Sequence, residues 1–181
     1  GPYEFSLKFI QSSFRTEYVT LSVLNPGVRE AQFASAQQRE RIMYFYQPSQ
    51  GHGLPHDPLN AIIGPRPIGW ISSCDKAGQL NLAPYSFFNC FNYRPPIIGF
   101  SSNGWKDSVR NITETKEFVW NLATRDLAQA MNQTSAMLPH DRDEFSFAGL
   151  TPAASQLVNA PRVAESPVNF ECRLSQCIQL T

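Results

Sequence analysis

The stretch Pro96–Ile112, PIIGFSSNGWKDSVRNI, is the most informative part of the chain, because a short apolar run turns on a glycine and enters a segment with helical spacing. Pro96–Phe100 is brief and apolar, which is typical of a buried strand. Val109 and Ile112 then recur at helical spacing. The stretch therefore predicts a strand, a turn and a helix over about 106–115.

The predicted turn places polar groups at the start of that helix. The first backbone N–H groups of a helix have no intrahelical partners, and the helix dipole favours negative charge there. Lys106 and the hydroxyls of Ser101, Ser102 and Ser108 can supplement these donors. The turn is thus a candidate phosphate site. The alternative is that Asp107 or Ser108 caps an ordinary helix and Lys106 is solvated.

Size and charge bound the classes of function. With 181 residues, including 13 Phe, 3 Trp and 6 Tyr, the chain can bury a core without disulfides or metals. Lys plus Arg equals Asp plus Glu at 15 each, so no global field attracts nucleic acid or an acidic membrane. No apolar run reaches the roughly 20 residues that span a bilayer, and the N-terminal residues lack the basic-then-apolar pattern of a secretory signal. We predict a soluble, cytoplasmic protein.

The elements along the chain are mainly strands. Residues 66–73 and 80–91 predict a hairpin, within which Pro84 indicates an edge or a bulge because proline lacks a ladder donor. Residues 117–123 predict another strand, and 125–137 a second helix. We therefore expect a mainly β fold, a β-barrel with flanking helices.

The two ends of the chain differ from its middle. Residues 1–42 carry alternating apolar positions but no recognisable chemistry, so we predict a leader or extension there and the main domain at 43–181. From Val168 to Leu180 apolar residues fall mostly on even positions, which predicts one long strand with a buried face. That strand would leave an open edge, so we expect closing strands to lie outside this chain or in another copy.

Several familiar sites are not indicated. His52 and His56 cannot share a helical face because Gly53 and Pro55 break the segment, and the four cysteines form no C-x-x-C pair, so no metal is predicted. The chain contains no Rossmann or Walker glycine pattern and no Gly-x-Ser-x-Gly elbow. The loop around His140 is polar, which favours its interpretation as a solvent-exposed connection between elements. No catalytic acid, base or nucleophile is predicted.

Five ordered segments together resemble one known family. They are Arg66–Ser72, Asn81–Asn89, Lys106–Ile112, Phe118–Leu122 and Val163–Val168, and Gly149–Pro152 also fits. In this order and spacing they resemble the flavin reductase-like family, over roughly 59–181. The resemblance implies an FMN-binding split barrel, with the C-terminal strands of the domain incomplete here.

The resemblance also implies where the cofactor lies. Members are homodimers that hold FMN near the subunit interface, with its phosphate at the Lys-Asp-Ser turn and its ring against the Asn-Leu-Ala-Pro strand. The implied phosphate residues are Ser101, Ser102, Lys106, Asp107 and Ser108, and the implied ring and ribityl residues are Ser72, Asn81, Ala83, Pro84, Tyr85, Ser86 and Phe87. Lys106 would supply charge, whereas Asp107 would cap the helix or orient Lys106. Near Pro84, unpaired strand N–H groups would reach the flavin.

The implied activity is transfer of a hydride from NADH or NADPH to FMN, with reduced flavin passing to a partner monooxygenase or another acceptor. Such chemistry belongs to the cofactor and requires no catalytic side chain. Two alternatives stay open. One is a non-catalytic FMN-binding protein. The other is an oxidase similar to pyridoxamine phosphate oxidase, which needs a second phosphate pocket, although Arg94, Arg110 and Arg142 are scattered.

Overall fold

The computed structural model describes residues 5–6, 19–24 and 41–180, with side chains from Tyr44 onward. The chain divides into two compact units: Gly1–Gln11 with Pro65–Thr181, and Ser12–Gly64. Most of the predicted leader, 1–42, lies outside the described residues, so its separate status stays a prediction. Within the described part, no helix is long and apolar enough to cross a membrane.

The smaller unit contains one hairpin and a short helix. Strand β2 (Val19–Leu24) pairs antiparallel with β3 (Arg41–Tyr46), and helix α1 (Pro58–Ile62) begins where the Asp57 carboxylate accepts the N–H of Leu59. The Tyr44 hydroxyl donates to the carbonyl of His52, and the His52 Nδ1 accepts the N–H of Leu54 at 3.0 Å. His52 therefore organises its own loop. Among the described residues, no group of three His, Cys, Asp or Glu side chains could hold a metal.

The larger unit is built on a five-stranded sheet. Its order is β1 (Phe5–Ser6), β11 (Asn169–Arg173), β8 (Glu117–Asn121), β4 (Gly69–Cys74) and β5 (Leu80–Tyr85). All neighbours are antiparallel except β1 and β11, which are parallel. Two further pairs are β6 (Phe88–Tyr93) with β7 (Pro96–Phe100), and β9 (Pro152–Ala153) with β10 (Arg162–Val163). The expected mainly β fold is confirmed.

Three helices flank this sheet: α2 (Asp107–Thr115), α3 (Ala128–Gln133) and α4 (Glu144–Phe147). Helix α2 matches the predicted segment closely. Its inward side carries Ser108, Asn111 and Ile112, all buried, whereas Val109 is only partly buried. The i, i+3, i+4 spacing thus places two polar residues, as well as Ile112, against the sheet.

Two strand predictions were wrong in extent. The segment 80–91 is not one strand, because the chain bends at Ser86–Phe87 and β6 leaves to pair with β7. The strand predicted to run to Leu180 ends at Arg173, although its apolar alternation continues. The reason lies in its partner: β8 begins at Glu117, which pairs with Arg173, so the ladder has no residue left to continue. The second helix is also shorter than predicted.

The two faces of β4 and β5 meet different cores. Directly paired residues share a face, so Ser73 and Asn81, together with Ile71 and Ala83, look towards α2. That face continues into a core containing Tyr85, Phe100 and Phe118. The opposite face carries Trp70 and Leu82 into a second core with Phe145, Leu150 and Val163. Only the first face can contribute to a site at the start of α2.

Candidate functional site

The N-terminus of α2 carries no side-chain cap. Its N-cap residue is Lys106, which is exposed and makes no capping hydrogen bond, and Gly104 precedes it at φ +86°. The expectation that Asp107 or Ser108 caps the helix was wrong, because both lie inside the first turn. The first N–H groups of α2 are therefore available to an anion, which the dipole favours.

Asp107 is held beside the helix by two basic groups. Its carboxylate accepts a hydrogen bond from Arg110 at 2.8 Å, and lies 3.3 Å from Nδ1 of His140. His140 also lies 3.6 Å from Asp75, whose carboxylate accepts N–H groups of its own turn. Asp107 does not contact Lys106 in these pairs, contrary to the expected orienting role. Lys106 is thus left to face solvent at the helix start.

A buried polar cluster lies beneath the first turn of α2. Asn81 donates to the Ser108 hydroxyl at 2.8 Å and to the Ser73 hydroxyl at 3.3 Å, and Asn111 donates to the same Ser73 hydroxyl at 3.4 Å. Ser108 is only 1% exposed. The Asn111 Oδ1, however, is buried and has no hydrogen-bond partner among the described residues. An unpaired buried carbonyl is costly, so this acceptor suits a bound hydroxyl or water.

Besides Asn111 Oδ1, the hydroxyl of Tyr85 is a second buried polar atom near the start of α2 without a hydrogen-bond partner among the described residues. Tyr85 is 6% exposed, its ring packs against Phe100 with centroids 4.5 Å apart, and its hydroxyl has no hydrogen-bond partner within the described part of the chain. Burial raises the pKa of Tyr85, and the neighbouring hydroxyls of Ser108 and Ser102 offset part of that rise. The phenol therefore stays neutral and presents a donor near the start of α2.

Glu144 is a residue that sequence reasoning missed. It begins α4 after Asp143, whose carboxylate caps that helix by accepting the N–H of Ser146. The Glu144 side chain is buried and its Oε2 accepts the N–H of Leu82 in the edge strand β5 at 2.9 Å. The predicted free N–H groups near Pro84 are thus partly taken. The contact spans 62 residues, and nothing in the local sequence points to it.

The structure brings some predicted residues together and separates others. Asn81, Tyr85, Ser102 and Ser108 gather at the start of α2, and Lys106 lies at its N-cap. Ser72 is on the opposite face, where its hydroxyl donates to Pro161 and accepts from Asn121. We therefore leave Ser72 out of the candidate site.

The other predicted residues have smaller polar roles. Ser101 is exposed and gives its backbone N–H to Phe87, and the Ser102 hydroxyl donates to the carbonyl of Gly104. Phe87 is exposed and lies under the guanidinium of Arg66 at 4.9 Å. The partly buried residues are Ala83, Pro84 and Ser86. Pro84 does lie on an edge strand, as predicted. Asn111 was missed as a site residue, although its position three residues after Ser108 could have revealed it.

Comparison with known proteins adds independent findings. The sequence model of the Flavin reductase like domain matches residues 64–181. An uncharacterized protein of Aquifex aeolicus is 45% identical over 118 residues, which are 62% of this chain and 60% of that relative. YwrF of Bacillus subtilis is 33% identical over 75% of this chain and 69% of its own length. The chain thus spans about three fifths of the length of the first relative.

Solved structures agree with these sequence matches. Nitrilotriacetate monooxygenase component B from Bacillus cereus aligns with a TM-score of 0.61 and 36% identity, over 66% of this chain and 61% of that one. A flavin reductase with a split barrel domain from Shewanella frigidimarina aligns with a TM-score of 0.61 and 27% identity, over 64% and 58%. The predicted split-barrel fold is confirmed by this similarity.

Proposed function

Because this chain belongs to the flavin reductase-like domain family, we propose that it is an FMN-dependent oxidoreductase that uses NADH or NADPH as hydride donor. The observation that carries the proposal is the Tyr85 hydroxyl, buried and unpaired beside the uncapped start of α2. An anion would accept hydrogen bonds from the uncapped N–H groups of α2, and a hydroxylated chain beneath it would give the Tyr85 hydroxyl a partner. FMN combines a phosphate with a ribityl chain of that kind.

The residues present fit such a ligand in chemistry and charge. The N–H groups of α2 and the ammonium of Lys106 would hold the phosphate, and Ser108 would donate a hydroxyl hydrogen bond. The unpaired Tyr85 hydroxyl would donate to, and Asn111 Oδ1 would accept from, hydroxyls of the ribityl chain. Arg110 offsets the charge of Asp107, which would otherwise repel the phosphate.

FMN, when bound, supplies the redox chemistry by accepting a hydride and passing its electrons onward. The part of the protein is to bind and orient the cofactor and to exclude water from one side of it. Ala83 would border the ring, since it lies on the same face of β5 as Asn81 and Tyr85, whereas Pro84 lies on the opposite face with Trp70. The proposed hydride transfer requires no catalytic acid or base among these residues.

Two further parts of the proposal concern partners. One similar protein is a component B of a monooxygenase, which supports the proposal that reduced flavin is delivered to an oxygenase. A homodimer is also proposed, because the β6–β7 hairpin exposes large aromatic side chains, including Phe91 at 47% and Tyr93 at 77%. Exposed aromatic groups clustered on one element favour a protein contact.

An absorbance titration tests the proposed function directly. Purified protein should bind added FMN with a change in the flavin spectrum, and anaerobic NADH or NADPH should then bleach the flavin band. Tight FMN binding without turnover by either nucleotide would instead indicate a non-catalytic flavoprotein. Absence of both FMN binding and nucleotide oxidation would overturn the proposal.

Tyr85→Phe separates a role in binding from a role in folding. The free protein should be as stable as wild type or slightly more stable, because the substitution removes a buried hydroxyl that has no partner. FMN affinity should fall roughly fivefold to tenfold, which corresponds to about one hydrogen bond. Urea unfolding and fluorescence titration measure the two quantities. An unchanged FMN affinity would place the cofactor away from Tyr85.

A further inference from the structure

Glu144 is a buried carboxyl whose charge is favoured, among the described residues, by backbone N–H groups and not by a cation. It is 8% exposed, and its Oε2 accepts the N–H of Leu82 at 2.9 Å. Phe145, which follows it, is fully buried and fixes α4 against the second core. The ion pairs among the described residues do not include Glu144. The carboxyl is thus held in place without a neutralising cation.

The other ionisable groups that face Glu144 are acids. Asp143 precedes it as the N-cap of α4, Asp107 lies at the start of α2, and Tyr85 lies on β5. Burial raises the pKa of Glu144, the N–H groups of Leu82 and of Glu144 itself oppose that rise, and the charges of Asp107 and Asp143 add to it. The charge of Glu144 in turn contributes to the raised pKa of the Tyr85 phenol. The Leu82 N–H that Glu144 accepts is next in the chain to Asn81, whose amide donates to Ser108 in the first turn of α2, so the carboxyl lies near the proposed phosphate site.

We propose that Glu144 takes up a proton from solvent when an anionic flavin binds at the start of α2. The inference rests on the proposed function, because it requires a phosphate beside Asp107. A further negative charge there disfavours the ionised form of Glu144, so the bound state holds more protons than the free state. By linkage, flavin affinity then rises as pH falls. The neutral carboxyl still accepts the Leu82 N–H, so β5 keeps its place.

Calorimetry in two buffers of different ionisation enthalpy measures this proton uptake. FMN binding to wild type should take up protons over a pH range above the ordinary pKa of a glutamate, and within it the affinity should rise roughly twofold for each pH unit lowered, relative to Glu144→Gln. Glu144→Gln keeps an oxygen for Leu82 but cannot titrate. Because the FMN phosphate titrates equally in both measurements, comparing wild type with Glu144→Gln at the same pH removes its contribution to the proton uptake. Asp143→Asn, which removes the adjacent charge and retains a helix-capping oxygen, should still take up protons.

Riboflavin provides a second measurement that needs no variant. It lacks the phosphate, so its binding to wild type should take up fewer protons than FMN binding does. Equal uptake by wild type and Glu144→Gln, or equal uptake with FMN and riboflavin once the titration of free FMN is subtracted, would overturn this inference while leaving the proposed function intact. Failure of every variant and wild type to bind FMN would overturn the proposed function instead.

Discussion

Asn121→Asp should lower the free energy of unfolding by about 3–5 kcal/mol, since it puts an uncompensated charge into the core. The Asn121 amide is fully buried and donates to the carbonyl of Trp70 and the hydroxyl of Ser72. Its Oδ1 accepts the N–H of Val163 and the amide of Asn169, both at 2.8 Å. One side chain thus connects four strands. A carboxylate keeps the acceptor but loses the donors, and would face a carbonyl.

Urea unfolding at neutral pH measures this loss. Asn132→Asp is the matched control, because Asn132 is exposed on α3 and the same change in charge should alter stability by less than about 0.5 kcal/mol. The destabilisation of Asn121→Asp should shrink as the pH is lowered and the new carboxyl becomes neutral. A variant as stable as wild type at pH 7 would mean that the Asn121 network contributes little to the fold.

Lys106→Glu should weaken FMN binding by about 30- to 150-fold, or roughly 2–3 kcal/mol, while the fold stays intact. Lys106 is exposed, and the ion pairs within the described part do not involve it, so its charge is free to act on a ligand. Reversing that charge at the N-cap of α2 sets a carboxylate against the proposed phosphate. Lys106→Ala should produce a smaller loss in the same direction.

The ligand itself supplies the discriminating control. Riboflavin carries no phosphate, so its affinity should change little in Lys106→Glu, and the ratio of FMN to riboflavin affinity isolates the effect on the phosphate. Lys76→Glu makes the same change in net charge in the exposed β4–β5 turn. If both variants weaken FMN binding equally, the effect is one of overall charge and the phosphate lies elsewhere.

The spacing of apolar residues within one segment predicted some elements correctly and failed for others. The strand at Pro96–Phe100 and the helix from Asp107 follow from apolar spacing alone. The end of β11 did not, because it depends on where β8 begins, and that start is set by Lys116, which ends α2 with φ +66°. The extent of a strand is a property of the pair, and periodicity in one segment cannot supply it.

The parts of the candidate site that lie within one continuous segment could be predicted from the sequence, whereas the parts formed by contacts between distant segments could not. The polar turn from Ser101 to Ser108 and the strand from Asn81 to Tyr85 were both identified from sequence. The separation of Ser72 from them follows from strand parity, since Ser72 pairs with Leu82 and not with Asn81. The role of Glu144 required the tertiary contact to Leu82. Long-range contacts between a loop and a strand edge leave no periodic signal.

The edge strand β5 has a further consequence for solubility. Hydrogen-bonding directions alternate along a strand, so the N–H of Leu82 and the backbone nitrogen of Pro84 both point away from β4. Glu144 occupies the first, and proline has no hydrogen at the second. A strand from another molecule would find no free donor at these two successive positions. The edge is thereby protected against intermolecular pairing and the aggregation that such pairing begins.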